Sequence, residues 1–263
     1  MTKKTKILAI SGILGLATAT AAFAGNTMTE KEFKVVQDKF PKLLKNPSIE
    51  FSKGVNENGF KHIELIAKDP RGQRPSQKFE IFITDSKEPV AFIGKAFNTN
   101  GEPYLLPVDS EIVKKGVAFT ISDPTYKGKK EDLYLVTDPQ CPYCQRFEEN
   151  MDKEIAKKYN IHVIPMPLSF HDQAKPMLYW VLSAKTKAEQ ADRMEKVMKG
   201  DMSYKKFSPT PEQKATADKV FEDANNAASE LGAQGTPMVF DKDMKPIENY
   251  FFLMKQVIPA QTR

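Results

Sequence analysis

The sequence is poor in several residue types that build metal sites and covalent frameworks: its 263 residues include two cysteines, three histidines and one tryptophan. Within the chain, the two cysteines can therefore pair only with each other. There are no internal repeats and no low-complexity tract, and no apolar stretch reaches the length of about 20 residues that a membrane-spanning helix needs. These absences leave one large or two small globular domains as the predicted architecture.

A strong excess of charge of one sign is also lacking. The chain has 39 lysine and arginine residues against 34 acidic ones, interspersed along its length. Three of the lysines (Lys3, Lys4 and Lys6) belong to an N-terminal segment that we predict to be removed, which leaves 36 basic against 34 acidic residues. This balance argues against nucleic acid as a partner.

The N-terminal segment has the three parts of a secretory signal peptide. The lysines precede an apolar run from Ile7 to Leu16, and Ala22-Phe23-Ala24 then supplies the small-x-small pattern that a signal peptidase accepts. We therefore predict that residues 1–24 are a cleaved signal peptide and that the mature protein is soluble and exported. The alternative is an uncleaved membrane anchor, which the short apolar run disfavours.

Residues 25–100 are predicted to form a small α+β domain. Thr29 and Glu32 have the spacing of a capping box at the start of a helix that extends to about residue 45. Apolar and polar residues then alternate, as in antiparallel strands separated by turns. The domain has no cysteine. Because so small a sheet leaves an edge that a partner can cover, we predict a dimerisation module.

Beyond a predicted linker helix at 101–118, residues 119–263 show the alternation of strands and helices that is typical of an α/β domain. A strand precedes the cysteine pair, and a helix is expected after it to about Tyr159. The further elements expected are a buried strand at 161–168, helices at 173–199 (with a break near Thr186) and 215–231, short strands at 237–240 and 246–251, and a last short helix.

The cysteine pair, in TDPQCPYCQRF (137–147), lies at the predicted junction of strand and helix. The first N–H groups of a helix lack partners within it and carry the positive end of its dipole, so a sulfur placed there is stabilised as the thiolate. Pro142 suits the first helical turn because its φ is fixed at a helical value. We therefore predict that Cys141 attacks, that the more buried Cys144 resolves, and that the two form a redox-active disulfide.

Two other interpretations of the pair are a structural disulfide and half of a metal site. A bridge over so short a loop removes little entropy from the unfolded chain, which disfavours the first. A zinc site needs more ligands, but there is no second CxxC, and eight residues separate His162 from His171, more than the usual three to five. We expect no metal and no other cofactor, and we expect all three histidines, including His62, to be ordinary surface or loop residues.

A second motif stands about 90 residues downstream, where LGAQGTPMVF (231–240) places Thr236-Pro237 directly before a strand. This pattern resembles the loop of thioredoxin folds in which a cis-proline faces the CxxC pair. Together with TDPQCPYCQRF, the signal peptide, the helical segment from Gln173 to Leu231 and the small N-terminal domain, it makes the chain resemble the periplasmic DsbC/DsbG group of thiol:disulfide interchange proteins. The resemblance spans the mature chain and is sharpest at 133–147 and 231–240.

The resemblance implies a thioredoxin-like catalytic domain with a helical insertion, and a cystatin-like N-terminal domain that joins two chains into a V-shaped homodimer. By position it makes Cys141 the nucleophile, Cys144 the resolving thiol and Thr236-Pro237 the substrate-binding loop. It also implies a periplasmic location, exported clients that contain cysteines, and a membrane redox partner of the DsbD or DsbB type. The chain departs from DsbC in having no cysteines for a second, structural disulfide, and its N-terminal domain is longer than usual in the group.

The two residues between the cysteines bear on the direction of exchange. Pro142 and Tyr143 bring no positive charge to the thiolate, whereas a histidine could, so the pair should be less oxidising than a histidine-bearing one. We therefore predict a disulfide isomerase or reductase. The alternatives are a disulfide oxidase, a chaperone that binds unfolded clients, and a reductant of sulfenic acids in exported proteins.

Overall fold

The computed structural model of the chain describes residues 27–57, 59–71, 76–101, 103–151, 154–250 and 253–254. The predicted signal peptide (1–24) lies outside these residues, as does the chain after residue 254, where a last short helix is expected. The chain divides into two compact units, Met1–Pro107 and Val108–Arg263. The predicted fold class, mixed α and β with a separate N-terminal sheet, is confirmed.

The N-terminal unit begins with the helix that the capping box predicts. The side chain of Thr29 accepts the N–H of Glu32, and the Glu32 carboxylate accepts the N–H of Thr29, at the start of α1 (Glu30–Lys39). The helix is shorter than expected, because Phe40 leaves the helical conformation and a separate turn, α2 (Pro41–Leu44), follows it.

Four antiparallel strands then form one sheet in sequence order: β1 (Ile49–Glu57), β2 (Phe60–Ala67), β3 (Gln77–Thr84) and β4 (Ala91–Ile93). One face of the sheet is apolar and packs on α1. The buried residues of this core include Phe33, Val36, Ile63, Leu65 and Ile81. Among the described residues β4 pairs with β3 alone, so it forms one edge of the sheet.

His62 corrects one prediction, because it is fully buried in β2 and is neither a surface nor a loop residue. Its ring stacks on that of Phe82 with the centroids 4.2 Å apart, and its Nε2 lies 2.7 Å from Oε2 of Glu80. The same face of β2 carries Phe60, whose ring meets the edge of the Tyr104 ring. The face of the sheet that carries His62 thus also holds aromatic contacts, which alternation along β2 alone does not reveal.

The C-terminal unit is built on a second four-stranded sheet in the order β5-β7-β6-β8. Its strands are β5 (Phe119–Ile121), β6 (Glu131–Thr137), β7 (Tyr159–Pro165) and β8 (Met238–Phe240). β6 runs parallel to β7 and antiparallel to β8, and its residues 133–137 are all buried. A strand is predicted at 246–251, but in the part of this range that the structure describes there is only an isolated β-bridge, between Pro246 and Phe240.

Helices connect and cover this sheet. α3 (Ser110–Lys115) precedes it within the C-terminal unit, and β6 is joined to β7 by α4 (Pro142–Asn150) and α5 (Ile155–Lys158). The helix expected to continue to Tyr159 therefore ends at Asn150, and Tyr159 begins a strand. Among the described residues, no helix combines the length and the apolar character needed to cross a membrane.

The predicted helical insertion lies between β7 and β8 and consists of α6 (Ala174–Leu182), α7 (Lys187–Met198) and α8 (Pro211–Glu230). The break near Thr186 is confirmed, because Thr186 caps α7. Thr210 caps α8, which therefore begins before the predicted residue 215. The single tryptophan, Trp180 on α6, has the Arg193 guanidinium 4.9 Å from its ring centroid and packs against the core that contains both cysteines.

α3 and α8 approach each other closely at a glycine. A Cβ at Gly116 would lie 2.3 Å from Cβ of Ala227 and 2.8 Å from the carbonyl oxygen of Asp223. No side chain fits in that space, so glycine is required where α3 ends against α8.

Candidate active site

β6 and α4 place the cysteine pair at the strand-to-helix junction that the sequence predicts. Cys141 is the N-cap residue of α4 and Pro142 is its first helical residue. The N–H of Cys141 donates to the carbonyl oxygen of Asp138 at 3.1 Å, which closes the turn between the two elements. The N-terminus of α4, whose first N–H groups lack partners within the helix, therefore begins directly at Cys141.

The loop before β8 faces this turn. The Thr236–Pro237 peptide bond is cis, as the resemblance implies, and Cys141 Sγ donates to the carbonyl oxygen of Thr236 at 3.6 Å. The antiparallel pairing of β8 with β6 holds the loop in this position, because the two strands place their adjoining turns at the same end of the sheet. Residues separated by 95 positions in the chain thus meet in the structure.

Cys144 lies deeper than Cys141: it is completely buried, whereas 4% of Cys141 is exposed. Burial raises the pKa of the Cys144 thiol to about 11, and a hydrogen bond with the side chain of Thr137 offsets part of that rise. Cys144 is therefore a protonated thiol at neutral pH. This asymmetry between two free thiols favours Cys141 as the attacking sulfur.

The two residues between the cysteines are exposed. Tyr143 has 70% of its surface accessible, and Pro142 is exposed beside it. A second aromatic ring, that of Phe170, is 75% exposed in the loop between β7 and α6. Both rings offer apolar surface to a polypeptide.

Asp138 belongs to the site although sequence reasoning did not identify it. Its carboxylate is completely buried and accepts three hydrogen bonds, from the N–H groups of Gln140 (2.8 Å) and Leu168 (2.7 Å) and from Nδ1 of His171 (2.8 Å). An acidic residue directly after a buried strand was the available signal, since such a residue needs partners. The partners at 168 and 171 were not readable, because only the fold brings them near.

The prediction for the other histidines is corrected accordingly. His171 does lie in a loop, but it is engaged with a buried carboxylate. His162 is partly buried on β7, where its ring bonds Thr120 Oγ1 at 2.9 Å and Asp132 Oδ1 at 3.1 Å. In the part of the chain that the structure describes, no group of three or more His, Cys, Asp or Glu residues could hold a metal ion.

Comparison with known protein families agrees with this geometry. Residues 123–250 match the family model of the thioredoxin-like domain. The C-terminal unit contains a thioredoxin-like domain. Its CxxC pair lies at a helix N-terminus and faces a cis X–Pro loop, an arrangement suited to thiol–disulfide exchange. The resemblance to the DsbC/DsbG group is consistent with this match.

None of the curated proteins matches the chain, but several solved structures are similar to it. The catalytic domain of Proteus mirabilis ScsC is 20% identical, with 52% of this chain and 84% of that one covered and a TM-score of 0.36. Bacillus subtilis BdbD in its oxidised form is 16% identical, with 51% and 85% covered and a TM-score of 0.39. Helicobacter pylori DsbG is 10% identical, with 79% and 97% covered and a TM-score of 0.38.

Proposed function

We propose that the protein is an exported thiol:disulfide interchange enzyme that acts on client proteins as an isomerase or reductase. The observation that carries this proposal is the asymmetry of the cysteine pair. Cys141 caps α4 opposite the Thr236 carbonyl group, whereas Cys144 is completely buried and its pKa is raised to about 11. One sulfur is thus available to attack a client, and the other stays protonated until it is needed.

The first step is attack by the Cys141 thiolate on one sulfur of a client disulfide. A bond forms between Cys141 Sγ and that sulfur, the client S–S bond breaks, and the second client sulfur leaves as a thiolate. In isomerisation this thiolate attacks another client disulfide, and a later client thiolate attacks the mixed disulfide and releases Cys141 as a thiolate. The client gains a new pairing, and no net oxidation or reduction takes place.

Cys144 resolves complexes in which the client does not release itself. It loses its proton and attacks Cys141 Sγ, so the Cys141–Cys144 bond forms and the client sulfur leaves as a thiolate. The client is reduced by two electrons and the pair is oxidised. The hydrogen bond with Thr137 that opposes the effect of burial supports this step, because it favours the Cys144 thiolate. A dithiol protein must then reduce the pair, and we propose a membrane partner of the DsbD type.

Tyr143 supports isomerase or reductase action over oxidase action. An oxidising pair has a strongly stabilised thiolate, and a tyrosine between the cysteines adds no positive charge to provide it. The exposed ring instead offers apolar surface beside the attacking sulfur, which suits an unfolded client. An oxidase would need a partner of the DsbB type to reoxidise the pair.

The proposal includes a homodimer formed through the N-terminal unit. The edge strand β4 carries Phe92 and Ile93, which are 54% and 67% exposed, and Val90 and Phe97 nearby are exposed as well. An unpaired strand edge with apolar side chains is a surface that proteins usually cover. A second copy of the same edge offers matching hydrogen-bonding groups and apolar side chains, as an isologous contact requires.

A periplasmic location is part of the same proposal. The signal-peptide pattern of residues 1–24 supports it. So does the chemistry, because a disulfide that is made and broken on exported clients requires an oxidising compartment.

Restoration of activity to scrambled ribonuclease by the reduced protein tests the function. The parent should restore activity, Cys141→Ala should restore none, and Cys144→Ala should restore a part while accumulating mixed disulfides. If the reduced parent leaves the substrate scrambled while its oxidised form rapidly oxidises reduced ribonuclease, the protein is an oxidase. Trapping the thiol state in cells with an alkylating mass tag separates the same alternatives, since an isomerase or reductase should be mostly reduced.

A further inference from the structure

The buried carboxylate of Asp138 links two segments of the active site. Through Oδ1 it accepts the N–H of Gln140 in the turn before α4, and through Oδ2 it accepts the N–H of Leu168 and Nδ1–H of His171 in the loop after β7. Its main-chain carbonyl oxygen binds the N–H of Cys141. One residue therefore connects the turn that carries the attacking sulfur with a loop that is 30 positions away.

Gln140 connects the same two segments a second time. Its side-chain oxygen accepts the N–H of Gln173 at 2.6 Å, and its Nε2 donates to Oδ1 of Asp172 at 3.1 Å. The loop would thus stay attached to the turn if Asp138 or His171 were replaced. Substitutions at these two residues can therefore be tested without detaching the loop.

The charge on Asp138 bears on the redox pair. A carboxylate without solvent around it acts on its neighbours with little screening, and it disfavours a second negative charge on a nearby sulfur. Reduction of the Cys141–Cys144 disulfide frees Cys141 Sγ in the turn that the main-chain carbonyl of Asp138 closes, and the thiolate form of this sulfur carries such a charge. His171 lies 2.8 Å from the carboxylate and is itself mostly buried, with 13% of its side chain exposed, so it is placed to offset the negative charge at close range.

We propose that Asp138 and His171 form a positioning pair that sets the reduction potential of the cysteine pair, with His171 offsetting the carboxylate charge that opposes thiolate formation. The inference rests on the proposed function only in requiring that Cys141 and Cys144 interconvert between dithiol and disulfide. Neither residue reacts with the client.

The test is equilibration of the full chain with glutathione, measured as the equilibrium constant for oxidation of the dithiol by glutathione disulfide. His171→Gln keeps a hydrogen-bond donor but cannot carry a positive charge. It should raise this constant about tenfold, which makes the pair more reducing by about 30 mV. Asp138→Asn keeps the shape of the side chain but not its charge, and it should lower the constant about tenfold. In the Asp138→Asn protein, adding His171→Gln should change the constant less than about twofold, because no carboxylate is left to offset.

His162→Gln is the matched control. It removes a histidine that faces Asp132 at 3.1 Å near the start of β6, at the end of the strand opposite to the cysteines. The equilibrium constant of this variant should stay within about twofold of the parental value, because the side chain that it alters is distant from the sulfurs. Thermal unfolding of all variants shows which of them are folded.

If the pair has only a structural role, the two substitutions should lower stability and move both equilibrium constants in the same direction. Alternatively, the constant of His171→Gln should stay within about twofold of the parental value. Either result overturns the inference. Should Asp138→Asn fail to fold, His171→Lys decides the matter: a positive charge at this position should bring the constant near the parental value, and a constant equal to that of His171→Gln overturns the inference. A parent whose cysteines do not equilibrate with glutathione contradicts the proposed function instead.

Discussion

The N-terminal and C-terminal sheets differ in what they leave exposed. The N-terminal sheet covers its apolar face with α1 but ends in β4, an edge strand with Phe92 and Ile93 accessible. The C-terminal sheet has β6 between β7 and β8, buries it from 133 to 137, and places the reactive cysteines directly after its end. An exposed apolar edge is suited to assembly, whereas an enclosed strand provides a rigid base for chemistry.

The largest effect is expected at the end of the enclosed strand. Cys141→Ser should abolish all disulfide exchange, because the remaining cysteine is buried and its pKa of about 11 keeps it protonated. Cys144→Ser should instead retain a first attack and accumulate mixed disulfides, which electrophoresis without reductant reveals. If Cys144→Ser is the inactive variant and Cys141→Ser continues to exchange, the roles of the two sulfurs are reversed.

The second effect concerns the exposed edge. Ile93→Glu should weaken self-association about a hundredfold, equivalent to roughly 2.7 kcal/mol, since the substitution would place a charge in an apolar contact. Analytical ultracentrifugation measures the change. Val35→Glu, at a residue of α1 with a similar exposure of 56%, is the matched control and should not alter it. Isomerisation of a protein with several disulfides should fall with the dimer, and exchange with a short peptide should not. A parent that sediments as a monomer contradicts the proposed dimer.

The third effect is a dependence of the free energy of unfolding on pH, caused by Cys144 in the helix that follows β6. Because the pKa of Cys144 is raised from its ordinary value of 9.0 to about 11 in the folded protein, its stabilising contribution is complete below about pH 9 and is lost as the pH rises to about 11. The reduced parent should therefore lose roughly 2 kcal/mol more of its free energy of unfolding than Cys144→Ala does between those limits. Urea unfolding at several pH values measures this difference, and parallel curves for the two proteins would show that Cys144 ionises freely.

The smallest effect is expected for the exposed rings near the cysteines. Tyr143→Ser and Phe170→Ser should each raise KM for an unfolded protein client about fivefold, equivalent to roughly 1 kcal/mol of lost apolar contact, with kcat nearly unchanged. Tyr126→Ser alters an exposed tyrosine elsewhere in the C-terminal unit and serves as the control. An equal change in all three variants would indicate a general loss of solubility and no client contact.

Local patterns predicted much of this molecule because their interactions lie within a few residues of each other. The capping box of Thr29 and Glu32, the break at Thr186 and the position of Cys141 at the start of α4 are all read from adjacent sequence. The extended run before the CxxC pair likewise predicted β6.

The errors have the opposite origin. His62 is buried against Phe82 and Glu80 of the neighbouring strand, and His171 meets Asp138 across 33 positions. Neither contact leaves a periodic pattern in the sequence. The helix predicted to reach Tyr159 failed because the chain had to begin β7 there, where pairing with Glu131 of β6 outweighs helix propensity.

The position of Trp180 gives the molecule an optical label on one of its two units. The chain has no other tryptophan, and this indole packs against the core around the cysteines, with the Arg193 guanidinium over its ring. Tryptophan fluorescence, excited at the long-wavelength edge of the indole absorption band, therefore reports on the C-terminal unit alone. Far-ultraviolet circular dichroism measures the secondary structure of both units. If the two signals lose their native values at different urea concentrations, the N-terminal and C-terminal units unfold independently; a single shared midpoint would mean that they unfold as one cooperative body.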